Sequence, residues 1–351
     1  MNDEGSAIIR PHGGRNYKPR ARAENVYSFE TLTALQSMTL DDKIGWSRAV
    51  IEQTLPLLER PAVAFSAGKD STVLLHLLRQ YRPEIITIYG NTTIEFPECV
   101  KFARWLRDEW KLNYYEARPD VSFWWVVEQY GWPLLGKEFG VGGVAHKDSR
   151  SKFFADLESR GELTGGYAIQ AEVPISSACC TFLKERPSEK VQKQLGVDGV
   201  FLGILAAESR RRMFNFLQYG EWYYAKSQKM HKCHPLAIWT DDDIWAYIRR
   251  FNVPYAPLYD MGYYNERGEF ISHKRNGCMF CGMDIRFPNN HLSIMRRTHP
   301  KAWRVLMINK GLGRVLMKLR FVFDDHQMDM FEEAWTTEEY LEHWPCVFDK
   351  L

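Results

Sequence analysis

No stretch of the 351 residues approaches the roughly 18 consecutive apolar positions that a membrane span requires. Near the N-terminus there is no apolar core of a secretory signal either. A cytoplasmic protein without membrane contact is therefore expected. An excess of charge is missing too: 46 Lys and Arg against 44 Asp and Glu leave a formal net charge of +2. Any polyanion must then be held by local patches, since no global field draws it in. Cysteine is sparse, with seven in the chain. Reducing conditions keep such thiols out of disulfides and make them candidates for metal or redox chemistry. Internal repeats are absent, and so is low-complexity sequence outside the N-terminal segment.

What is present is enough apolar material for a real core. Hydrophobic residues make up 45% of the chain, ample for one large domain or slightly more. The 12 Trp and 17 Tyr scatter without repeat spacing and read as core or interface residues. Basic residues collect in three places. "IIRPHGGRNYKPRARAEN" (8–25) carries Arg, Lys and His among Pro and Gly, with no acid before Glu24, the composition of a flexible arm. The others are "ESRRRMF" (208–214) and the run from "HKRNGCMFC" to "MRRTHPKAWR" (273–304). Soft boundaries divide the chain into a basic arm and lead-in (1–39), a central domain (40–288) and a helical C-terminal extension (289–351).

The central stretch alternates short apolar runs with helical patterns. Residues 62–65 read as a buried strand, 71–81 as a leucine-rich helix and 84–91 as a strand. A helix opened by Pro97 follows at 97–110, then a strand at 112–118. A further strand is expected at 198–205. A helix is expected at 239–252, with Thr240 as N-cap and three aspartates where the helix dipole favours them. Such alternation argues for an α/β fold: a twisted parallel sheet with helices on both faces, followed by a mainly helical extension.

Between the first strand and its helix lies "SAGKDS" (66–71). In an open parallel sheet, ligands bind at the carboxyl ends of strands. A loop that opens a helix there presents amide N–H groups to an anion. Ser66, Ala67 and Gly68 keep the backbone accessible, Lys69 adds a mobile cation, and Ser71 can donate or cap the helix. The loop departs from the Walker pattern G-x-x-x-x-G-K-S/T, because residue 63 is Val and Asp70 follows the lysine. A Rossmann G-x-G-x-x-G is absent as well.

The loop resembles the S-x-G-K-D-S signature of the PP-loop ATP pyrophosphatases, the family that includes the PAPS and APS reductases. "NTTIEFPEC" (91–99) is similar to the family's second-strand segment, with Thr93 in place of a usual glycine and Cys99 in place of a threonine. "GILAAESRRR" (203–212) resembles the segment Gly-x-Arg-x-x-Glu-Ser-x-x-Arg, with Leu205 where an arginine is usual. "HPLAIWTDDDIWAYIRRFNVPYAPLYDMGY" (234–263) resembles a stretch of the reductase members. The resemblance implies an adenine nucleotide alpha hydrolase-like, Rossmann-like fold with ATP and Mg²⁺ at the loop. It implies a nucleotide site of Ser66, Ala67, Gly68, Lys69, Asp70, Ser71, Asn91, Thr92, Glu208, Ser209 and Arg212, with Lys69, Asp70 and Ser71 as its catalytic group.

Cys179 and Cys180 are adjacent, and Cys278 and Cys281 form a C-x-x-C. Four such thiolates together indicate zinc or an iron–sulfur cluster, with free thiols as the remaining alternative. Two neighbouring side chains bond poorly to one tetrahedral ion, whereas a cubane offers four separate iron corners. The same arrangement occurs in APS reductases and in the pyrophosphatase component of DNA phosphorothioation systems. That resemblance implies a 4Fe–4S cluster on Cys179, Cys180, Cys278 and Cys281. Lys184 and Arg186 follow the pair, either as positive charge for the thiolates or as ordinary helix surface. Cys99, Cys233 and Cys346 read as small buried hydrophobes with no assigned role.

A reductase of the family needs a C-terminal cysteine in a Glu-Cys-Gly-Leu-His-like tail. This chain ends "HWPCVFDKL", with Trp344 and Pro345 before Cys346 and no Gly-Leu-His after it. The phosphorothioation pyrophosphatase is the closer resemblance. It implies that ATP yields AMP and pyrophosphate as the DNA backbone is adenylated, and that sulfur from a cysteine desulfurase then displaces AMP. Other subunits of the modification system are implied partners. The basic arm and the 273–304 patch agree with a polyanionic substrate. An APS or PAPS reductase of sulfate assimilation, a tRNA thiolation enzyme and a non-catalytic nucleotide-binding subunit are the alternatives.

Overall fold

Short apolar runs bounded by polar turns form the strands of a parallel sheet. The computed structural model describes residues 25–134, 175–285 and 290–318. After α1 (Phe29–Gln36) and α2 (Leu40–Thr54) come β1 (Pro61–Phe65), β2 (Ile86–Gly90) and β3 (Asn113–Ala117), joined by α3 (Lys69–Leu78) and α4 (Pro97–Glu109). These crossover helices allow the three strands to run parallel. β4 (Gly199–Leu202) pairs with the other edge of β1. α7 (Arg210–Tyr219) then leads to the hairpin of β5 (Trp222–Ala225) and β6 (Met230–Cys233). The sheet order is β3-β2-β1-β4-β6-β5, parallel except for β5, which is antiparallel to β6.

Helices cover both faces of this sheet. α6 (Arg186–Gln194) lies against β2 and β3, with Val191 and Leu195 packed on Ala62, Ile88 and Ala117. α3 lies against β1 and β4. Its Leu74, Leu75, Leu77 and Leu78 are fully buried, each contributing about 1.5–3 kcal/mol to stability. α8 (Asp241–Phe251) buries Ile244, Tyr247 and Ile248, and ends where Asn252 turns left-handed at φ 50°. Acids in its first turn and Arg249 and Arg250 in its last both complement the helix dipole.

The described residues form two compact units, and each is assembled from separated segments. The first comprises 25–92, 97–118 and 186–257 and contains the sheet. The second comprises 93–96, 119–134, 175–185, 258–285 and 290–318. It holds α5 (Phe123–Tyr130), the small hairpin β7 (Gly262–Tyr264) and β8 (Phe270–Ser272), α9 (His291–Thr298), α10 (Pro300–Arg304) and α11 (Leu312–Lys318). A linear cut into 1–39, 40–288 and 289–351 therefore does not coincide with these units, because the chain leaves the first after β2 and returns to it twice. Within the lead-in, 29–36 is already helical, capped by Ser28. The strand expected over 198–205 stops at Leu202, where Gly203 turns towards the loop after β1. The β5–β6 and β7–β8 hairpins have no counterpart in the sequence reading. The basic arm to residue 24 and Cys346 lie outside the described residues. Among the described residues no helix is long and apolar enough to cross a membrane.

Candidate nucleotide site and four-cysteine site

After β3 the chain crosses to the far side of β1, so the strand order reverses between β1 and β4. At such a switch point the connections leave in opposite directions and open a crevice at the carboxyl ends of the strands. Residues 66–68 stand there, directly before α3, and the N-cap Gly68 makes no side-chain hydrogen bond to the helix. An uncapped first turn suits an anion, which can take the place of the missing cap. The loop is clasped from within. Ser71 Oγ accepts from Ser66 N at 3.2 Å and donates to Gly68 O at 2.9 Å, and Thr72 Oγ1 donates to the same carbonyl at 2.9 Å. Ala67, fully buried, is left-handed at φ 59°, a conformation costing a side-chain-bearing residue roughly 1–3 kcal/mol. Gly203 allows the closest approach: a Cβ there would stand 3.0 Å from the carbonyl carbon and oxygen of Asp70 and from Ser71 N.

Lys69 is buried, with Nζ 3.0 Å from Asp70 Oδ1 and 2.7 Å from Asp241 Oδ1. Asp241 was visible in the sequence only as a helix-opening acid. Its contact with Lys69 depends on how α8 is set. Trp239 is fully buried and donates from Nε1 to Ser47 Oγ at 2.9 Å. Thr240 caps the helix in a reciprocal box with Asp243. Asp243 in turn pairs with buried Lys43 at 2.6 Å. Burial pushes the Asp243 carboxyl up, but its bonds to Lys43 and Thr240 outweigh that and hold it below the ordinary carboxylate range. The Trp-Thr-Asp run therefore anchors a helix start and delivers a carboxylate to the loop lysine.

The other predicted nucleotide residues divide by role. Asn91 and Thr92 are buried at the carboxyl end of β2. Asn91 N donates to Ala117 O at 3.0 Å, and its side-chain amide donates to Glu116. Thr93, standing where the family has glycine, keeps the left-handed backbone at φ 67°. Glu208 folds back to accept from Leu205 N at 3.2 Å and pairs with Arg212. Ser209 is the N-cap of α7, accepting from Arg212 N at 3.3 Å. Leu205, at the place of a usual arginine, is buried.

In the second unit, Cys179 and Cys180 end a short helical turn, Ala178–Cys180, that continues into a π-helical stretch, Thr181–Glu185. Cys278 pairs with Glu95 as an isolated bridge, and Cys281 N donates to Cys278 O at 3.1 Å, closing the C-x-x-C turn. The thiols lie near enough to act on one another electrostatically. A hydrogen bond with Cys180, burial, and the charges of Cys180, Cys281 and Cys278 push the Cys179 thiol far up. Burial first, then Cys278, pushes Cys281 up as well. Ile94, Phe123, Val126, Ala178 and Leu183 form the apolar cluster against which Cys179 and Cys278 pack. Four thiols in an apolar lining match the donor chemistry of a soft-metal or iron–sulfur site. Among the described residues, no three Cys, His, Asp or Glu side chains form a preformed ligand set for a metal ion.

Sequence reasoning passed over two residues beside this turn. Burial pulls the His291 imidazole down, but Asp284 and the Met279 carbonyl outweigh it and hold its pKa above the ordinary value. Asp284 is held below its ordinary range, because its bonds and charge interaction with His291 outweigh burial. Lys184 and Arg186 are exposed, as helix surface. Cys99 and Cys233 are fully buried, and burial pushes the Cys233 thiol up to about 12.

A family model described as "Phosphoadenosine phosphosulfate reductase domain" matches residues 60–136 and 154–281. Proteins named phosphoadenosine 5'-phosphosulfate reductase from Xylella fastidiosa and Xanthomonas axonopodis pv. citri are 26% and 27% identical to this chain over 237 and 252 residues. The matches cover 67% and 71% of this chain and 79% and 85% of those proteins. Among solved structures, a PAPS reductase from Candida auris in a phosphate complex aligns with a TM-score of 0.40 at 18% identity, covering 69% of this chain and 96% of its own. FMN adenylyltransferase from Candida glabrata in complex with ATP aligns with a TM-score of 0.38 at 14% identity, covering 67% and 66%.

Proposed function

The chain belongs to the phosphoadenosine phosphosulfate reductase domain family, and from that premise we propose that it is an ATP pyrophosphatase that adenylates the DNA backbone for sulfur incorporation. The observation that carries this reading is Lys69, buried at the switch point between Asp70 and Asp241 at the start of an uncapped helix. A cation so placed favours an adenine nucleotide whose phosphates lie over the first turn of α3. A substrate oxygen attacks the α-phosphorus, the α–β bond breaks, and pyrophosphate departs with the electron pair. Lys69 and the loop amides stabilise the charge that builds on the leaving group, a preorganised electrostatic role. A sulfur nucleophile then displaces AMP from the adenylated substrate, and a cysteine desulfurase is the source we propose for it. Asp70 and Asp241 orient Lys69 and are the carboxylates that would hold Mg²⁺ through water. Cys179, Cys180, Cys278 and Cys281 would hold a 4Fe–4S cluster, which supplies electron or sulfur chemistry when bound.

A second reading, reduction of PAPS or the related APS, is favoured by the relatives named phosphoadenosine 5'-phosphosulfate reductase. One assay separates the two. The chain, purified without oxygen, is given ATP with and without DNA, or APS or PAPS with a thiol reductant. Pyrophosphate and AMP formed from ATP, stimulated by DNA, are expected. Sulfite from APS or PAPS with no ATP cleavage establishes the reductase instead.

A further inference from the structure

The C-x-x-C turn is tied on three sides within its own unit. Met279 N donates to Ile94 O at 2.7 Å, and Gly282 N donates to Pro133 O at 3.0 Å. The third tie comes from α9. His291 Nε2 lies 2.9 Å from Met279 O, the carbonyl between the two cysteines, and Nδ1 lies 3.2 Å from Asp284 Oδ1. A carbonyl only accepts, so the ring nitrogen facing Met279 O is the donor in that contact. The same Asp284 accepts from His291 N through Oδ2 at 3.0 Å, so one carboxylate grips ring and backbone together. Asn290 caps the helix that carries the ring, accepting from Ser293 N at 3.1 Å. Neither residue belongs to the thiol set, yet His291 turns one ring nitrogen on the peptide between Cys278 and Cys281 and the other on Asp284.

We infer that Asp284 and His291 are a positioning pair for the cysteine site: Asp284 holds the ring, and the ring fixes the peptide between Cys278 and Cys281, which sets the direction of both sulfurs. This rests on reading the four cysteines as one ligand set. Partners that orient ligands in this way typically change metal affinity about 10–100-fold when removed.

The test uses the full chain and three substitutions: His291→Ala, His291→Gln and Asp284→Ala. Alkylation of each cysteine in the metal-free protein is followed by peptide mass spectrometry. In His291→Ala and Asp284→Ala, Cys278 and Cys281 are expected to react faster than in the parent, with Cys99 and Cys233 unchanged as folding controls. Gln can still donate to Met279 O, so His291→Gln is expected to restore the parent rates. After anaerobic loading with ferrous iron and sulfide, a chelator should strip His291→Ala about tenfold faster than the parent. Unchanged rates at Cys278 and Cys281, an equal rise at Cys99 and Cys233, or no rescue by Gln each overturns the positioning pair. If the parent itself takes up no iron, the cluster reading fails separately, and the alkylation pattern still decides the role of the pair.

Discussion

Lys69 shows what one buried cation does when two carboxylates share it. Its Nζ touches Asp70 and Asp241, so removing the ammonium leaves two acids facing the loop without a counter-charge. Lys69→Ala is therefore expected to lower pyrophosphate release about 10²–10³-fold, the scale on which a preorganised electrostatic partner acts. Asp241→Asn keeps the shape and leaves Asp70 in place, so a smaller loss is expected, roughly tenfold, from poorer placement of the ammonium. Turnover measured by coupled pyrophosphate detection grades the two. Equal activity in Lys69→Ala and the parent would remove the loop from the chemistry. That residues 69–71 open the helix after the first strand was legible in "SAGKDS", because a loop of small residues before a leucine-rich run is a local pattern. Asp241 was not, since a contact between helix starts 172 positions apart leaves no periodic trace.

At the scale of elements, the site depends on how closely β4 approaches the start of α3. A Cβ at residue 203 would stand 3.0 Å from backbone atoms of Asp70 and Ser71, and backbone cannot swing aside as a flexible side chain can. Gly203→Ala is expected to cost about 1–3 kcal/mol as overpacking and to weaken ATP binding by displacing the loop. Thermal unfolding and nucleotide titration on the same variant check both halves. Stability lost without any change in ATP affinity would separate the strand from the site. At the same scale, Thr93 takes a left-handed φ of 67°, a conformation that favours glycine over a side-chain-bearing residue. Thr240, predicted as an N-cap from its place before three aspartates, is one in the structure. The antiparallel β5–β6 edge escaped reading because "WYYA" and "MHKC" lack clean alternation, and pairing with β4 supplies what the pattern does not.

For the whole molecule, two buried histidines, one in each unit, weaken the fold in acid, while His291, held above its ordinary value, works the other way. Burial pushes His234 down to about 4 and His273 down to about 3. Both are depressed below the unfolded value of about 6.5. Below that value the unfolded chain takes up protons that the folded chain refuses, so stability falls with falling pH until the folded values are reached. Each imidazole contributes a slope approaching 1.4 kcal/mol per pH unit across that window, about one proton's worth. Glu221 acts oppositely: burial raises its carboxyl, so its contribution is lost as pH rises through the folded value. Urea unfolding midpoints between pH 7.5 and 4.5 are expected to decline from about pH 6.5 downward. A flat profile between pH 6.5 and 5 would show these imidazoles charging as freely in the folded chain as in the unfolded one.

The sequence by itself determined the α/β alternation, the loop of small residues between the first strand and its helix, and the spacing of the cysteines as a pair and a C-x-x-C. Those features depend on neighbours a few positions apart, where hydrophobic period, loop chemistry and helix caps act. Tertiary structure alone decided where β4 inserts, and with it the switch point, Gly203 against the loop and Asp241 against Lys69. It also decided that segments far apart in sequence, 93–96, 119–134, 175–185, 258–285 and 290–318, belong to one unit, and that the charges of Cys180, Cys278 and Cys281 act on Cys179. Pairing between distant strands and packing between distant helices settle such placements, and their energy comes from surfaces that no local pattern displays.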